Sequence, residues 1–402
     1  MLRRLVTLLL ALGLASPAAA QVPGVNIAGA EFNGSAMPGI LNKDYTYPKT
    51  SEIDYFAAQG IQLFRLPAKW RRLQATVGGP LKDEYTEYHK SIDYALAKGF
   101  VVVPDIHDYG YRVSTLLGTG EATPVAFADF LHKLLGKYKT QPNLWIGLQN
   151  EPHSHTAQQW FTFVQATVTE LRRLGFQNKM LVPGTAWTGA HSWVSSGNAA
   201  AMANFQDPLN NFAFEVHQYL DSGSDGGDGT CDVGSNNRID KVVAWAATEG
   251  VQLFLGEFAA GTFAQCMPEL TALLTKIHAH PEIWAGYAFW GGGNWFGGIA
   301  KYHFSLNPTN GVMSPVLAQY LEAMELAQPA PQLDIMLNDH ILKVYVAGQE
   351  VTWNAALTIV SNTAGVQWVR KDKGTFSYTQ PGTVTFRIEY QGAVEERTRT
   401  LP

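Results

Sequence analysis

Two glutamates stand where short apolar runs end. Glu151 follows Leu144-Trp145-Ile146-Gly147-Leu148, with Gln149 and Asn150 just before it, and Glu257 follows Val251-Gln252-Leu253-Phe254-Leu255-Gly256. A carboxylate emerging unpaired from a buried run is costly, so each is either held in a structural salt bridge or put to work. Two carboxylates at one mouth suit glycosidic cleavage. One, kept protonated, donates to the leaving oxygen; the other, kept ionised, attacks or guides attack at the anomeric carbon. Glu31, Asp105 and Asp108 stand in comparable positions and remain rivals on this ground alone.

Other groups fall in the same places. Arg65, after Leu63-Phe64, either clamps a barrel mouth or keeps a neighbouring carboxylate ionised. His107 and His217 are candidates for core packing, zinc ligation or hydrogen bonding to sugar hydroxyls. Neither His107-Asp108 nor His217-Gln218-Tyr219 has the His-x-His or HExxH spacing of a metal hydrolase, so hydroxyl binding is expected, with no metal and no cofactor. Asp221-Ser222-Gly223-Ser224-Asp225-Gly226 begins like a calcium loop, but its twelfth position is Asp232 and no helix pair flanks it, which predicts a solvated loop. Trp187, Trp290 and Trp295 lie at or beyond run ends, where indole faces stack on pyranose rings.

The elements that must position these groups follow from periodicity. Eight apolar, β-rich runs are marked at Gly24–Ala30, Ile61–Pro67, Phe100–Asp108, Asn143–Pro152, Lys179–Gly184, Phe212–Leu220, Val251–Ala259 and Trp284–Gly293. Their starts lie 33 to 43 residues apart, room for one strand and one crossover helix. Most are nearly continuous in apolar residues, as strands buried on both faces must be. Helical segments between them stop at glycine: Ser51–Gly60, Ser91–Gly99, Thr156–Gly175 and Asp240–Gly250. Eight strand–helix alternations over roughly 300 residues predict a (β/α)8 TIM barrel, whose working residues sit at the strands' C-terminal ends. A doubly wound sheet is the rival, but no Gly-rich phosphate fingerprint follows the first run.

Residues 327–332, with Pro329 and Pro331, read as a linker after a last helix at Ser314–Leu326, so the barrel is assigned to 21–326. Beyond it, Val384, Phe386, Ile388 and Tyr390 alternate with polar residues, and Leu342–Val346 and Val351–Ile359 read as short strands. Residues 333–402 are therefore expected to form a small antiparallel, sandwich-like β-domain. Trp353 and Trp368 are either its core or a sugar platform.

The 402-residue chain is 46% hydrophobic and 16% charged, which excludes disorder. With 29 Lys and Arg against 34 Asp and Glu its charge is −5, or −7 without Arg3 and Arg4, so no basic field invites nucleic acid or anionic lipid. Residues 1–20 have the order of a cleavable secretory signal: Arg3-Arg4, the apolar Leu5–Leu14, then Ala18-Ala19-Ala20. The mature chain is expected to be exported, monomeric and free of the membrane. In an oxidising compartment, Cys231 and Cys266 read as one disulfide.

Seven segments together resemble the signature segments of glycoside hydrolase family 5 cellulases: 24–32, Phe64-Arg65-Leu66-Pro67, Asp105-Ile106-His107-Asp108-Tyr109, Asn150-Glu151-Pro152, His217-Gln218-Tyr219-Leu220, Gly256-Glu257-Phe258 and Trp290. The resemblance covers roughly residues 23–326. It implies a (β/α)8 endo-β-1,4-glucanase acting with retention, with Glu151 as acid/base, Glu257 as nucleophile and Asn150 on the sugar 2-hydroxyl. It further implies that Arg65 and Tyr219 orient Glu257, that His107 and His217 shape the cleavage subsite, and that Trp290 stacks beneath the sugar. Similar endoglucanases also carry cysteines in the loops that hold Cys231 and Cys266. The substrate expected is a neutral β-linked polysaccharide. A β-mannanase or xyloglucanase of the same family, a non-catalytic polysaccharide-binding barrel and a metal-dependent hydrolase are the alternatives.

Overall fold

Side chains alternate along a strand, and here the alternation divides each apolar run between two layers. The computed structural model describes residues 21–297, 303–329 and 333–402. The expected signal at 1–20 lies outside the described residues, as do residues 330–332 of the expected linker.

All eight runs become parallel strands: β1 Val22–Ile27, β2 Leu63–Ala68, β3 Val101–Ile106, β4 Ile146–Gly147, β5 Met180–Pro183, β6 Phe212–His217, β7 Leu253–Phe258 and β8 Trp284–Gly292. Each pairs with its neighbour in sequence and β8 returns to β1, closing the barrel. The fold is the expected (β/α)8 TIM barrel. One set of alternating residues faces inward: Leu63, Val101, Val103, Trp145, Leu181, Ala213, Phe254 and Ala288 form a compact interior cluster. The other set, including Phe64, Leu66, Val102, Ile146, Val182, Phe214, Leu255 and Phe289, packs outward in the larger core shared with the helices.

Local chemistry sets the helix limits. Thr156 and Gln159 form a reciprocal capping box before the helix Ala157–Arg173, and Gly175 follows its end at φ 89°. That helix buries Trp160, Phe163, Val164, Thr167, Val168 and Leu171. Ser314 caps the helix Pro315–Leu326, accepting from the Val316 N–H.

The fourth strand is far shorter than Asn143–Pro152. Only Ile146–Gly147 pairs regularly, and the chain leaves the ladder before Glu151, which sits at φ 44°. Such left-handed backbone costs a non-glycine residue about 1–2 kcal/mol and concentrates at functional sites.

The chain divides into two compact units after Ala327. In the second, Val384, Phe386 and Ile388 of the strand Gly382–Tyr390 are buried with Leu342, Val344, Leu357 and Phe376. Its sheets are antiparallel. Val351–Ile359 is not one strand: a 3-10 turn occupies Thr352–Asn354 because the buried Thr352 hydroxyl accepts from the Val344 N–H, and the strand begins at Ala356. Trp368 is half-buried against Phe376 and Phe386, whereas Trp353 is 68% exposed. Among the described residues no helix is long and apolar enough to cross a membrane.

Cys231, in the loop after β6, and Cys266, opening the helix after β7, form a disulfide spanning 35 residues. Closing a loop of that length is worth at most about 4 kcal/mol through the unfolded chain, small beside the barrel core. Replacing both cysteines by serine should lower the unfolding free energy by up to about 4 kcal/mol in a denaturant titration while the helical circular dichroism persists. Unfolding of the protein in mild reductant alone would contradict this.

Candidate active site

The inward parity that fills the barrel with Leu63, Val103 and Ala213 continues upward to Arg65, Asp105 and His107, and Glu215 and His217. The interior layer therefore changes from apolar to charged within one residue pair on each of β2, β3 and β6. From β1, Asn26 joins the same layer, its Nδ2 donating to the Gly256 carbonyl at 2.9 Å.

Arg65 is fully buried, and both terminal nitrogens of its guanidinium donate hydrogen bonds. Nη1 donates to Asn26 Oδ1 and Glu257 Oε1, both at 2.9 Å, and Nη2 donates to Asn150 Oδ1 at 2.7 Å. Nη2 also lies 3.2 Å from Asp105 Oδ1, and Nε lies 3.0 Å from Glu215 Oε1. One cation thus faces three buried carboxylates. Burial pushes Asp105 up to about 7 despite Arg65, with Glu215 adding to the effect. Against the same push of burial, Arg65 and His217 hold Glu215 below the ordinary carboxylate range.

Glu151 and Glu257 meet across the mouth. One carboxylate oxygen of each and one ring nitrogen of His217 all lie within 4.8 Å of one another. Glu257 is fixed on both oxygens, by Arg65 on Oε1 and by the Tyr219 hydroxyl donating to Oε2 at 2.7 Å. Burial raises its pKa, with Glu151 adding, while His217 and Arg65 oppose the rise. Because both oxygens accept hydrogen bonds from committed donors, the geometry favours the ionised form. Glu151 is more open, its side chain 16% exposed against 5% for Glu257. Its hydrogen bond among the described residues is with His217 Nδ1, at 2.8 Å.

The pKa values of the two histidines are pushed in opposite directions. Burial holds His107 well below its usual value, and it binds Asp105 Oδ2 through Nδ1 at 2.8 Å and the Tyr109 hydroxyl through Nε2 at 3.2 Å. For His217 burial also lowers the pKa, but Glu257, Glu151 and Glu215 together raise it to about 10. Glu151, His217 and Glu257 are close enough to ligate a metal ion, which would have to displace the proton of the His217 ring to do so.

Aromatic faces flank the pair. Trp290 stacks on His107 with ring centres 5.6 Å apart. On the other side a cavity of about 580 Å³ is lined by Glu151, Trp187, His191, His217, Tyr219 and Asp225. Trp187 is 52% exposed and stacked on His153 at 4.0 Å. Of the rival acids, Asp105 is tied to Arg65 and His107, and Asp108 Oδ2 accepts from the Trp70 N–H at 2.8 Å. Glu31 turns back to accept from the Gly29 N–H at 2.7 Å, and burial pushes its carboxyl up to about 7. The loop at 221–232 is organised by its own backbone, with Asp221 accepting from the N–H groups of Gly226 and Gly227.

Asn26 and Glu215 were absent from the candidates read at strand ends, because both lie inside their runs. Parity alone could have found Glu215, which shares a face with His217 two residues on. Replacing Arg65 with methionine leaves three buried carboxylates without their cation and should cost about 3–5 kcal/mol in a urea titration. A loss below about 1 kcal/mol would show that the cluster does not depend on the guanidinium.

Residues 25–293 match the profile described as Cellulase (glycosyl hydrolase family 5). Endoglucanase 3 of Humicola insolens is 30% identical over 296 residues, covering 72% of this chain and 74% of its own. An endo-beta-1,4-glucanase from Xanthomonas axonopodis pv. citri superposes with a TM-score of 0.72 at 33% identity, covering 77% of this chain and all of its own. XacCel5A, solved in complex with cellopentaose, gives 0.72 at 36% identity over 76% of this chain and 99% of its own. With this match and the closed barrel beneath it, the chain belongs to the cellulase family, glycosyl hydrolase family 5, and is a glycoside hydrolase.

Proposed function

We propose that this protein is a secreted, monomeric endo-β-1,4-glucanase that cleaves internal bonds of cellulose-like chains with retention of anomeric configuration, residues 21–326 forming its catalytic domain. The observation that carries the reading is the approach of Glu151 and Glu257 to within 4.8 Å. Retaining enzymes hold their carboxyl groups about 5–5.5 Å apart, whereas inverting enzymes need about 6.5–9.5 Å to admit water.

In the first step a Glu257 carboxylate oxygen attacks the anomeric carbon as the bond to the leaving oxygen breaks, and Glu151 delivers its proton to that oxygen. In the second, Glu151 takes a proton from water, whose oxygen displaces Glu257 and releases the sugar. Arg65 and Tyr219 hold the nucleophile in place throughout. Asn150 Oδ1 is committed to Arg65 while its buried Nδ2 has no partner among the described residues, a donor suited to the sugar 2-hydroxyl. Trp290, braced by His107, supports the ring on one side of the cleaved bond, and Trp187 serves the leaving-group side.

A glucan backbone is favoured because several relatives are named endoglucanases and one was solved with cellopentaose. Export is supported by the leader-like residues 1–20 and by the paired cysteines.

Glu257→Ala should abolish hydrolysis of carboxymethylcellulose. Glu151→Gln should lower kcat/KM by roughly 10²–10⁴-fold on substrates with poor leaving groups, and far less on an activated aryl cellobioside. Equal losses of Glu151→Gln on both substrates would overturn the acid role, and mannan or xyloglucan hydrolysed faster than β-glucan would move the specificity to that backbone.

A further inference from the structure

The chemistry above leaves Glu215 without a task, although burying its charge is expensive. Its side chain is fully buried on β6, two residues before His217 and on the same inward face. Oε1 lies 3.0 Å from Arg65 Nε and 3.3 Å from His217 Nε2. On the adjacent strand, β7 makes room for it: a Cβ on Gly256 would come 2.2 Å from that same oxygen. The absence of a side chain immediately before Glu257 is therefore what admits the Glu215 carboxylate.

We propose that Glu215 is a positioning residue for the acid/base, its carboxylate bridging Arg65 and the Nε2–H of His217 so that the opposite edge of the imidazolium donates Nδ1–H to Glu151. Held this way, one oxygen of Glu151 is fixed and the other is left to pass its proton to the leaving group. The inference rests on the reading of Glu151 as acid/base. The groups facing the His217 ring are Glu215 on its own strand, Glu151 beyond β4 and Glu257 on β7, with Arg65 of β2, Asp105 of β3 and His107 beyond β3 acting on this cluster. The arm on β3 has the same layout, with Asp105 between Arg65 and His107, but its histidine meets the Tyr109 hydroxyl instead of a carboxylate. Only the β6 arm leads to a proton-transferring group.

The test is the pH dependence of kcat/KM on β-glucan for Glu215→Gln relative to the unaltered enzyme. An opposite charge at this range raises a histidine by roughly 1–3 pKa units, so losing it should make His217 give up its proton earlier. From about 10 this brings His217 to roughly 7–9, so the deficit should be small near pH 5 and grow with rising pH, reaching about tenfold one pH unit above the lowered value. A merely structural contribution would give a deficit independent of pH, and that result overturns the inference. Gly256→Ala, which keeps the carboxylate but displaces its oxygen, should show the same pH-dependent deficit; a flat ratio there counts equally against it and decides the matter if Glu215→Gln does not fold. Glu151→Gln measured alongside separates the two questions. If it lacks leaving-group dependence, the acid/base reading is wrong; if it shows that dependence while the Glu215 and Gly256 variants stay flat, only the role of Glu215 falls.

Discussion

A buried guanidinium must be surrounded by acceptors, and Arg65 meets that requirement with Asn26, Asp105, Asn150, Glu215 and Glu257 drawn from five parts of the barrel wall. Each partner is a side chain whose own position the chemistry needs. Asn150 precedes Glu151, Asp105 and Glu215 each hold a histidine two residues on, and Glu257 is itself one of the paired carboxylates. The planar fork of arginine satisfies this many acceptors at fixed angles, which the point charge of lysine would not. Geometry at the mouth is thus set one layer below it, where water does not reach.

The same layer explains why two histidines at one mouth differ in charge. Three carboxylates exceed what a single cation can neutralise, and the surplus negative charge is closest to His217, which has Glu151, Glu215 and Glu257 around it. His107 has Asp105 on one edge and a phenol on the other, with Arg65 and Lys69 nearby, and burial prevails. Similar residue pairs on β3 and β6, Asp-x-His and Glu-x-His, consequently favour the neutral ring beside Trp290 and the protonated one beside Glu151.

The eight strands were legible because continuous apolar runs recur at crossover spacing, and their glycine-ended helices because Gly175 and Gly250 take the left-handed backbone that stops a helix. Glu151, Glu257, Arg65, His107, His217, Tyr219 and Asn150 were legible as polar groups at the ends of those runs. Glu215 and Asn26 were not, since a polar residue inside a run looks like an interruption until the inward face is followed residue by residue. The short β4 was also hidden: its sequence is as apolar as its neighbours, yet regular pairing stops at Gly147, before the left-handed backbone at Glu151. In the C-terminal unit, alternation located Gly382–Tyr390, but the tertiary bond from Val344 to the Thr352 hydroxyl broke a segment that propensity alone renders as one strand.

In the proposed mechanism Glu257 and Glu151 act in turn on one anomeric carbon from a distance that excludes an intervening water. Proton NMR of the first products released from a soluble cello-oligosaccharide distinguishes this from direct displacement by water. The β-anomer of the new reducing end should appear first and mutarotate to α afterwards. Initial appearance of the α-anomer would mean direct displacement by water and would rule out a covalent intermediate on Glu257.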